Sequence, residues 1–565
     1  MEKRLIECVP NFSEGRNAEV INAIASAIQT VSGVNLLNVD PGEATNRTVF
    51  TFVGEPQAVV EAAFRAEKRA AELIDMRKHH GAHPRMGATD VLPLIPIAGI
   101  TLEECATLAR DLAKRIADEL EIPCYCYEAA ALRPERRNLA VCRSGEYEAL
   151  PEKLADEKRA PDFGARAYDE KVAQTGCTAV GARDFLIAVN FNLNTTSTRR
   201  ANAIAFDVRE KGRPVREGNP ITGKIVRDEQ GNAVMKPGTL KGVKAIGWYI
   251  EEYGVAQVSM NITDINATPL HVAFEEVSRC AQNRGIRVTG TEIVGLLPKR
   301  CLIDAGKYFL EKQNRSTGIP EADIMKIAIK SMGLDDLKPF EPKEKVIEMM
   351  IDTTPAPLIN LTAEGLAQET SRESPAPGGG SIAAYMGALG AALGTMVANL
   401  SAHKPGWDDQ WKTFSDVADR GQQLVNELLH LVDEDTAAFN AIMAAFGMPK
   451  KTDEEKAARN QAIQAATLNA CQVPLRTMRA AYRAFDICRN MASDGNPNSV
   501  SDAGVGTLAA RAAVIGAALN VKINAAGLDD KQKAAELITE ANELTAMAKI
   551  QEDEILQIVE SKINA

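Results

Sequence analysis

Three of the chain's six histidines fall within five positions, His79, His80 and His83 of the stretch HHGAHP. Imidazole exchanges protons near neutral pH and also ligates metals, so the cluster admits a metal site, a helix end or an acid–base residue. A zinc site would need His79 and His83 one turn apart on a continuous helix, and Gly81 and Pro84 interrupt it. No metal is predicted. His79 and His80 read as the last turn of a helix through KRAAELIDMRKHH, with Gly81 as its cap. His83 lies beyond, on a loop entering a strand, where either a proton-exchanging group or a loop histidine bonded to backbone would sit.

Two more loops carry polar groups past strand ends. CVPNFSEG places Asn11, Ser13 and Glu14 after a first strand, and NVDPGEATNR places Asp40, Asn46 and Arg47 after the next. They are candidates for a polar cluster beside His83, with turn and cap chemistry as the competing explanation.

A second constellation lies far along the chain. In LLHLVDEDTAAFNAIMAAF, the residues Leu428, Leu431, Val432, Asp435, Ala438, Phe439, Ile442, Met443 and Phe446 recur at helical spacing, so Asp435 interrupts an apolar stripe while Asp433 and Glu434 point to solvent. Burial favours the protonated carboxyl, which can then donate to a leaving group at neutral pH; the alternative is an aspartate bonded within a helical core. SPAPGGGS sets Gly378, Gly379, Gly380 and Ser381 at a helix start, where main-chain N–H groups could hold a carboxylate or phosphate. Without GK[ST] it is no nucleotide loop. Asn520 and Asn524, four apart, share one face of a later helix.

The elements that must position these groups fall into two kinds. Strand and helix signals over Arg4–Val9, Ala18–Ile28, Val34–Val39, Val49–Val53, Gln57–Met76 and Val91–Ile97 give the order βαββαβ. The order recurs at Phe185–Val189, a helix from Arg199, Ala245–Ile250, Ala256–Ile262, Pro269–Asn283 and Ile286–Val288, with Gly212 to Gly238 as an excursion loop. The expected fold is therefore multidomain α+β: two tandem ferredoxin-like (split βαβ) subdomains over 1–185 and 186–351, a linker at 352–357, and an all-α bundle over the Ala-rich 358–565.

The 565 residues carry a formal charge of −11, which disfavours a nucleic-acid partner and suits a small molecule. Ten scattered cysteines read as reduced thiols of a cytoplasmic protein, and the N-terminus lacks a signal-peptide core. Only Ile382 to Leu400 resembles a membrane span; its small residues suit close helix packing in a soluble bundle, and no span is predicted.

The motifs CVPNFSEGRN, NRTVFTFVG, HHGAHPRMGATDVLPLIPIAG, PDFG, GARDFLIAVNFN, AIGWYIEE, AQVSMNITD and GTEIVGLLP, in this order, resemble the glutamate formiminotransferase family over essentially all of 1–351. The resemblance implies transfer of the formimino group of N-formimino-L-glutamate to N5 of tetrahydrofolate, with folate between the subdomains. It makes His83 the catalytic acid and Asn11 and Asp40 its supports. It assigns folate contacts to the segment after PDFG, namely Gly164, Ala165, Arg166, Ala167, Tyr168, Lys171, Thr175 and Gly176.

Residues 358–565 resemble the cyclodeaminase family, which also includes stand-alone methenyltetrahydrofolate cyclohydrolases. LVDEDTAAF then matches the proton-donor motif, with Asp435 as catalytic acid for closing 5-formiminotetrahydrofolate to 5,10-methenyltetrahydrofolate with loss of ammonia. Gly378 to Ser381, Asn520 and Asn524 are expected to line that pocket. Together the modules resemble the bifunctional family of histidine degradation, implying a homo-octamer that prefers polyglutamylated folate. The competing expectations are a monofunctional transferase with a helical oligomerisation or folate-binding module, and a non-catalytic folate-binding scaffold.

Overall fold

A computed structural model describes residues 4–43, 46–81, 85–219, 222–351, 356–374 and 376–565. The chain divides into two compact units, one of residues 1–301 and 332–352, the other of 302–331 and 353–565.

In the first unit, β1 (Leu5–Cys8), β2 (Asn11–Phe12), α1 (Ala18–Gln29), β3 (Val34–Gly42), β4 (Arg47–Gly54), α2 (Pro56–Leu73) and β5 (Thr89–Ala98) build the expected βαββαβ arrangement. Asn17 caps α1 by accepting from the Glu19 and Val20 amides, and Pro56 opens α2 with a donor that the helix does not need. β3 lies at the edge, pairs with β4, and β4 is followed by β1 and β2 and then by β5, all antiparallel. Phe12, Phe50 and Phe52 turn to one face, where they pack with Ile24, Ile28, Ala62 and Ala66 of the helices.

The sheet then continues beyond the expected motif. After α3 (Leu102–Leu120), β6 (Cys124–Glu128) and β7 (Thr178–Ala182) extend it in parallel, β7 pairing with β5 and β6 with β7. Both strands are buried almost throughout, as covered parallel strands must be.

The second βαββαβ comprises β8 (Ile187–Leu193), α4 (Thr198–Val208), β9 (Val243–Ile250), β10 (Val255–Ile262), α5 (Leu270–Gln282) and β11 (Val288–Val294), in sheet order β9-β10-β8-β11. Its last strand lies several residues later than Ile286–Val288. The Gly212–Gly238 excursion is partly ordered, with Arg213–Pro214 pairing antiparallel with Met235–Lys236.

In the second unit the long helices are α6 (Gly379–Ala402), α7 (Trp411–Phe446), α8 (Asp453–Asp494), α9 (Val500–Ala525) and α10 (Lys531–Ile563). Small residues let α6 and α9 touch at the backbone: a Cβ at Gly390 would stand 2.7 Å from the Gly506 carbonyl oxygen, and one at Gly506 2.9 Å from that of Gly390. Among the described residues, two helices, Gly379–Ala402 and Pro497–Ala525, are long and apolar enough to cross a membrane, one more than the sequence singled out, and at least half of each apolar window is buried within the protein.

Candidate functional sites

The helix expected to end at His79 and His80 stops at Leu73. Ile74 turns extended, Asp75 accepts from the Arg77 amide, and a short 3-10 turn covers Met76–Lys78. His79 is therefore no helix end and Gly81 no cap. His79 is buried, donates from Nε2 to the Asn46 carbonyl oxygen at 2.8 Å, and accepts at Nδ1 from Arg85 Nε at 3.3 Å. Burial, with Arg85 nearby, holds its pKa below the usual imidazole value, and both contacts suit the neutral ring.

His83 itself lies outside the described residues. The framework on either side of it is explicit. Asn46, at φ 48°, accepts at Oδ1 from the Gly15 amide at 3.0 Å and donates from Nδ2 to the His80 carbonyl oxygen at 3.1 Å. Arg85, buried, forks onto Glu148 at 2.6 and 2.9 Å and reaches Glu146 at 3.4 Å. A cavity of about 450 Å³ opens there, lined by His80, Gly81, Arg85, Gly145, Glu146 and Glu148. Glu146 and Glu148 carry no signal in sequence, because only the fold brings them to Arg85.

Asn11 and Asp40 pair with Val49 from opposite sides of β4, on the sheet face turned away from the Phe50 and Phe52 side chains, about 10 Å apart by strand spacing. Asn11 is buried and donates to the Val9 carbonyl oxygen at 3.2 Å; Asp40 is exposed. Asp40 lies within electrostatic reach of Arg47, whose pKa burial lowers. Ser13 Oγ donates to the Gly87 carbonyl oxygen at 2.7 Å, and Glu14 accepts from the Arg16 and Asn17 amides, so both serve the backbone.

The Gly164–Gly176 segment has an exposed front and a fixed rear. Gly164, Ala165, Arg166, Ala167, Tyr168 and Lys171 are exposed, whereas Thr175 and Gly176 are buried. The Ala88 amide donates to the Thr175 carbonyl oxygen at 2.7 Å, and Gly176, at φ 67°, packs so tightly that a Cβ would stand 2.3 Å from the Met86 carbonyl oxygen. Tyr168 OH meets Tyr147 OH at 3.1 Å, and the Arg85 guanidinium lies 5.9 Å from the Tyr147 ring centroid. These contacts join the segment to the surroundings of HHGAHP.

The second unit unites two motifs that sequence kept apart. Asp435 of α7 reaches the start of α6, where it accepts from Ser381 Oγ at 3.2 Å and from the Ser381 main chain. A Cβ at Gly380 would stand 2.2 Å from Asp435 Oδ1, so the glycine makes room for the carboxyl. The anion expected at this helix start is the chain's own carboxylate. Burial raises the Asp435 pKa above the usual value, and the two Ser381 bonds oppose that rise.

The remaining residues expected here divide. Asn520 stands beside Gly379, whose added Cβ would meet Asn520 Nδ2 at 3.4 Å, and donates to the Gly516 carbonyl oxygen. Asn524 is used elsewhere, donating to the Ala470 carbonyl oxygen at 2.7 Å and tying α9 to α8. Asp433 and Glu434 are not simply solvated: Asp433 accepts from the Leu358 and Ile359 amides, and Glu434 pairs with Arg476. The apolar stripe around Asp435 is buried at Leu428, Leu431, Val432 and Ala438 but runs out to solvent at Met443 and Phe446. No group of three or more His, Cys, Asp or Glu suited to a metal occurs among the described residues.

Comparison with known proteins matches three successive stretches of the chain. Residues 5–183 match the formiminotransferase domain, N-terminal subdomain; 188–352 match the formiminotransferase domain; and 362–543 match formiminotransferase-cyclodeaminase. A formimidoyltransferase-cyclodeaminase of Mus musculus is 42% identical over 529 residues, 93% of each chain. A glutamate formimidoyltransferase of Streptococcus pyogenes is 43% identical over 312 residues, 55% of this chain and 95% of its own. A methenyltetrahydrofolate cyclohydrolase of Methylorubrum extorquens is 41% identical over 205 residues, 36% of this chain and 99% of its own. The chain belongs to the formimidoyltransferase-cyclodeaminase family.

Proposed function

We propose that the chain is a bifunctional folate enzyme of histidine degradation. Its first unit transfers the formimino group of N-formimino-L-glutamate to N5 of tetrahydrofolate, releasing L-glutamate. Its second closes 5-formiminotetrahydrofolate to 5,10-methenyltetrahydrofolate and releases ammonia. The observation that carries this reading is the Asp435 carboxyl, half-buried on Ser381 at a glycine-lined helix start, in a chain whose first part is related to a glutamate formimidoyltransferase and whose second part is related to a methenyltetrahydrofolate cyclohydrolase.

In transfer, N5 attacks the formimino carbon and glutamate leaves on its nitrogen, which needs a proton from a positioned acid. His83 supplies it, with Asn11 and Asp40 orienting the reacting groups and Arg166, Tyr168 and Lys171 on the folate side. In ring closure the departing group is again an amine, and Asp435 is the acid that delivers its proton, with burial raising its pKa above the usual carboxylate value. The product of the first site is the substrate of the second, so one chain keeps its effective concentration high.

The folate is polyglutamylated and the enzyme works as a homo-octamer in the cytoplasm. Exposed Leu389, Met396, Leu400, Leu519 and Ile523 on α6 and α9 support self-association, and ten buried thiols suit a reducing compartment. Replacing Asp435 with Asn should stop only ammonia release, and replacing His83 with Ala should stop glutamate release while sparing ring closure of supplied 5-formiminotetrahydrofolate. Glutamate release that survives in H83A, or ammonia release in D435N, would remove that residue from its assigned role.

A further inference from the structure

The proposed acid of ring closure has one partner that the chemistry above leaves unused. Ser381 is fully buried at the start of α6. Its hydroxyl donates to Asp435 Oδ2 at 3.2 Å and lies 3.1 Å from Thr436 Oγ1. Three other buried hydroxyls of the bundle, those of Thr395, Ser401 and Thr507, donate to the carbonyl four residues earlier on their own helix. Ser381 instead acts across helices, on the carboxyl.

Ring closure makes demands that suit such a contact. It forms the bond from N10 to the formimino carbon and breaks the bond from that carbon to its terminal nitrogen, whose electron pair leaves with it. When the formimino group enters as its protonated amidinium, the two hydrogens on its nitrogen and the one lost from N10 become the three of ammonia, and the positive charge stays on the methenyl product. A proton must therefore leave N10 and arrive on the departing nitrogen. One carboxyl can accept and then return it if its orientation holds between the two events.

We propose that Ser381 is the positioning residue of ring closure: with Thr436 behind it, its hydroxyl holds Oδ2 of Asp435 at the α6 terminus while the carboxyl carries the N10 proton to the leaving nitrogen. This rests on the reading of Asp435 as the acid of that step. The charged groups around Asp435 are already committed. On α7, Glu434 pairs with Arg476 of α8 and lies 3.7 Å from His430; α6 offers only Ser381 and α9 the neutral Asn520. Ser381 is thus the polar group best placed to set both the angle and the acidity of the carboxyl.

The test uses the full chain supplied with 5-formiminotetrahydrofolate, recording ammonia release against pH, with glutamate release as a control for folding. S381A should lower kcat for ring closure about tenfold or more with little change in KM. Losing a donor that favours the charged carboxylate should also move the fall in rate at low pH to higher pH. T436V should do the same more weakly, and T436S should restore the wild-type profile. If S381A unfolds the chain, as joint loss of both activities would reveal, the T436V and T436S pair decides. Wild-type profiles in S381A and T436V alongside an inactive D435N would overturn the proposal and leave Asp435 in its role. An active D435N would overturn the reading of Asp435 itself.

Discussion

Replacing Gly380 with Ala should slow ring closure about a hundredfold while leaving the fold and the transferase intact. The new methyl would stand 2.2 Å from Asp435 Oδ1 and 2.5 Å from both Cγ and Oδ2, against an optimum of about 3.5 Å or more for non-bonded carbon contacts. The carboxyl must withdraw by roughly an ångström, which carries it out of hydrogen-bond reach of Ser381, now at 3.2 Å. Losing a bond to a charged group costs about 1.5–3 kcal/mol, offset by roughly 1 kcal/mol because alanine is the better helix former. Net stability should fall by no more than about 2 kcal/mol, whereas a displacement of that size in a reacting group costs about a hundredfold in rate. Gly379 is the internal control, since its Cβ would meet Asn520 Nδ2 at an ordinary 3.4 Å. Ammonia release from supplied 5-formiminotetrahydrofolate, measured beside a thermal melt, checks both variants. A folded G380A that closes the ring within about threefold of the wild type, or a folded G379A that loses as much as G380A, would refute the reasoning.

Glu67 is buried, accepts from Thr178 Oγ1 at 2.8 Å, and has its pKa pushed up from 4.5 to about 7 by burial. A raised folded pKa contributes stability below the unfolded value and loses it as pH rises through about 7, so E67Q should gain up to about 3 kcal/mol over the wild type at pH 8 and little at pH 4.5. Melts of the first unit at the two pH values check the sign, and an equal difference at both would contradict it. Arg85, which follows HHGAHP directly in sequence, forks onto Glu148 and bonds to His79. R85K cannot reproduce that fork, and should slow formimino transfer about tenfold or more without touching ring closure of supplied intermediate; glutamate and ammonia assays run in parallel test it, and unaltered transfer would remove Arg85 from the account.

The sequence marked the two βαββαβ units and the helical module because hydrophobic periodicity is local. β6 and β7 escaped it: CYCYE and TAVGA are short, parallel and buried on both faces, so neither alternates. The end of α2 was misread because helical composition runs on through MRKHH, while Asp75 stops the helix by capping a tighter turn. His79 owes its burial to Asn46, 33 residues away, which no local signal reveals. The second site shows the same limit. Asp435 in its stripe and the glycines before α6 were each visible, but 54 residues separate Asp435 from Ser381. Periodicity tells which residues share a face, not which faces meet. Asp433 followed the wheel to solvent and is instead spent on the Leu358 and Ile359 amides, a contact set by where the chain enters the bundle.

The most direct test of a two-site enzyme is the stoichiometry of one reaction. The full chain, given N-formimino-L-glutamate and tetrahydrofolate, is followed for glutamate, ammonia and 5,10-methenyltetrahydrofolate together. The account predicts that ammonia and the methenyl product appear in equal amounts and, after a short lag, keep pace with glutamate. Glutamate release with neither ammonia nor methenyl product would contradict it and leave the helical unit without a reaction.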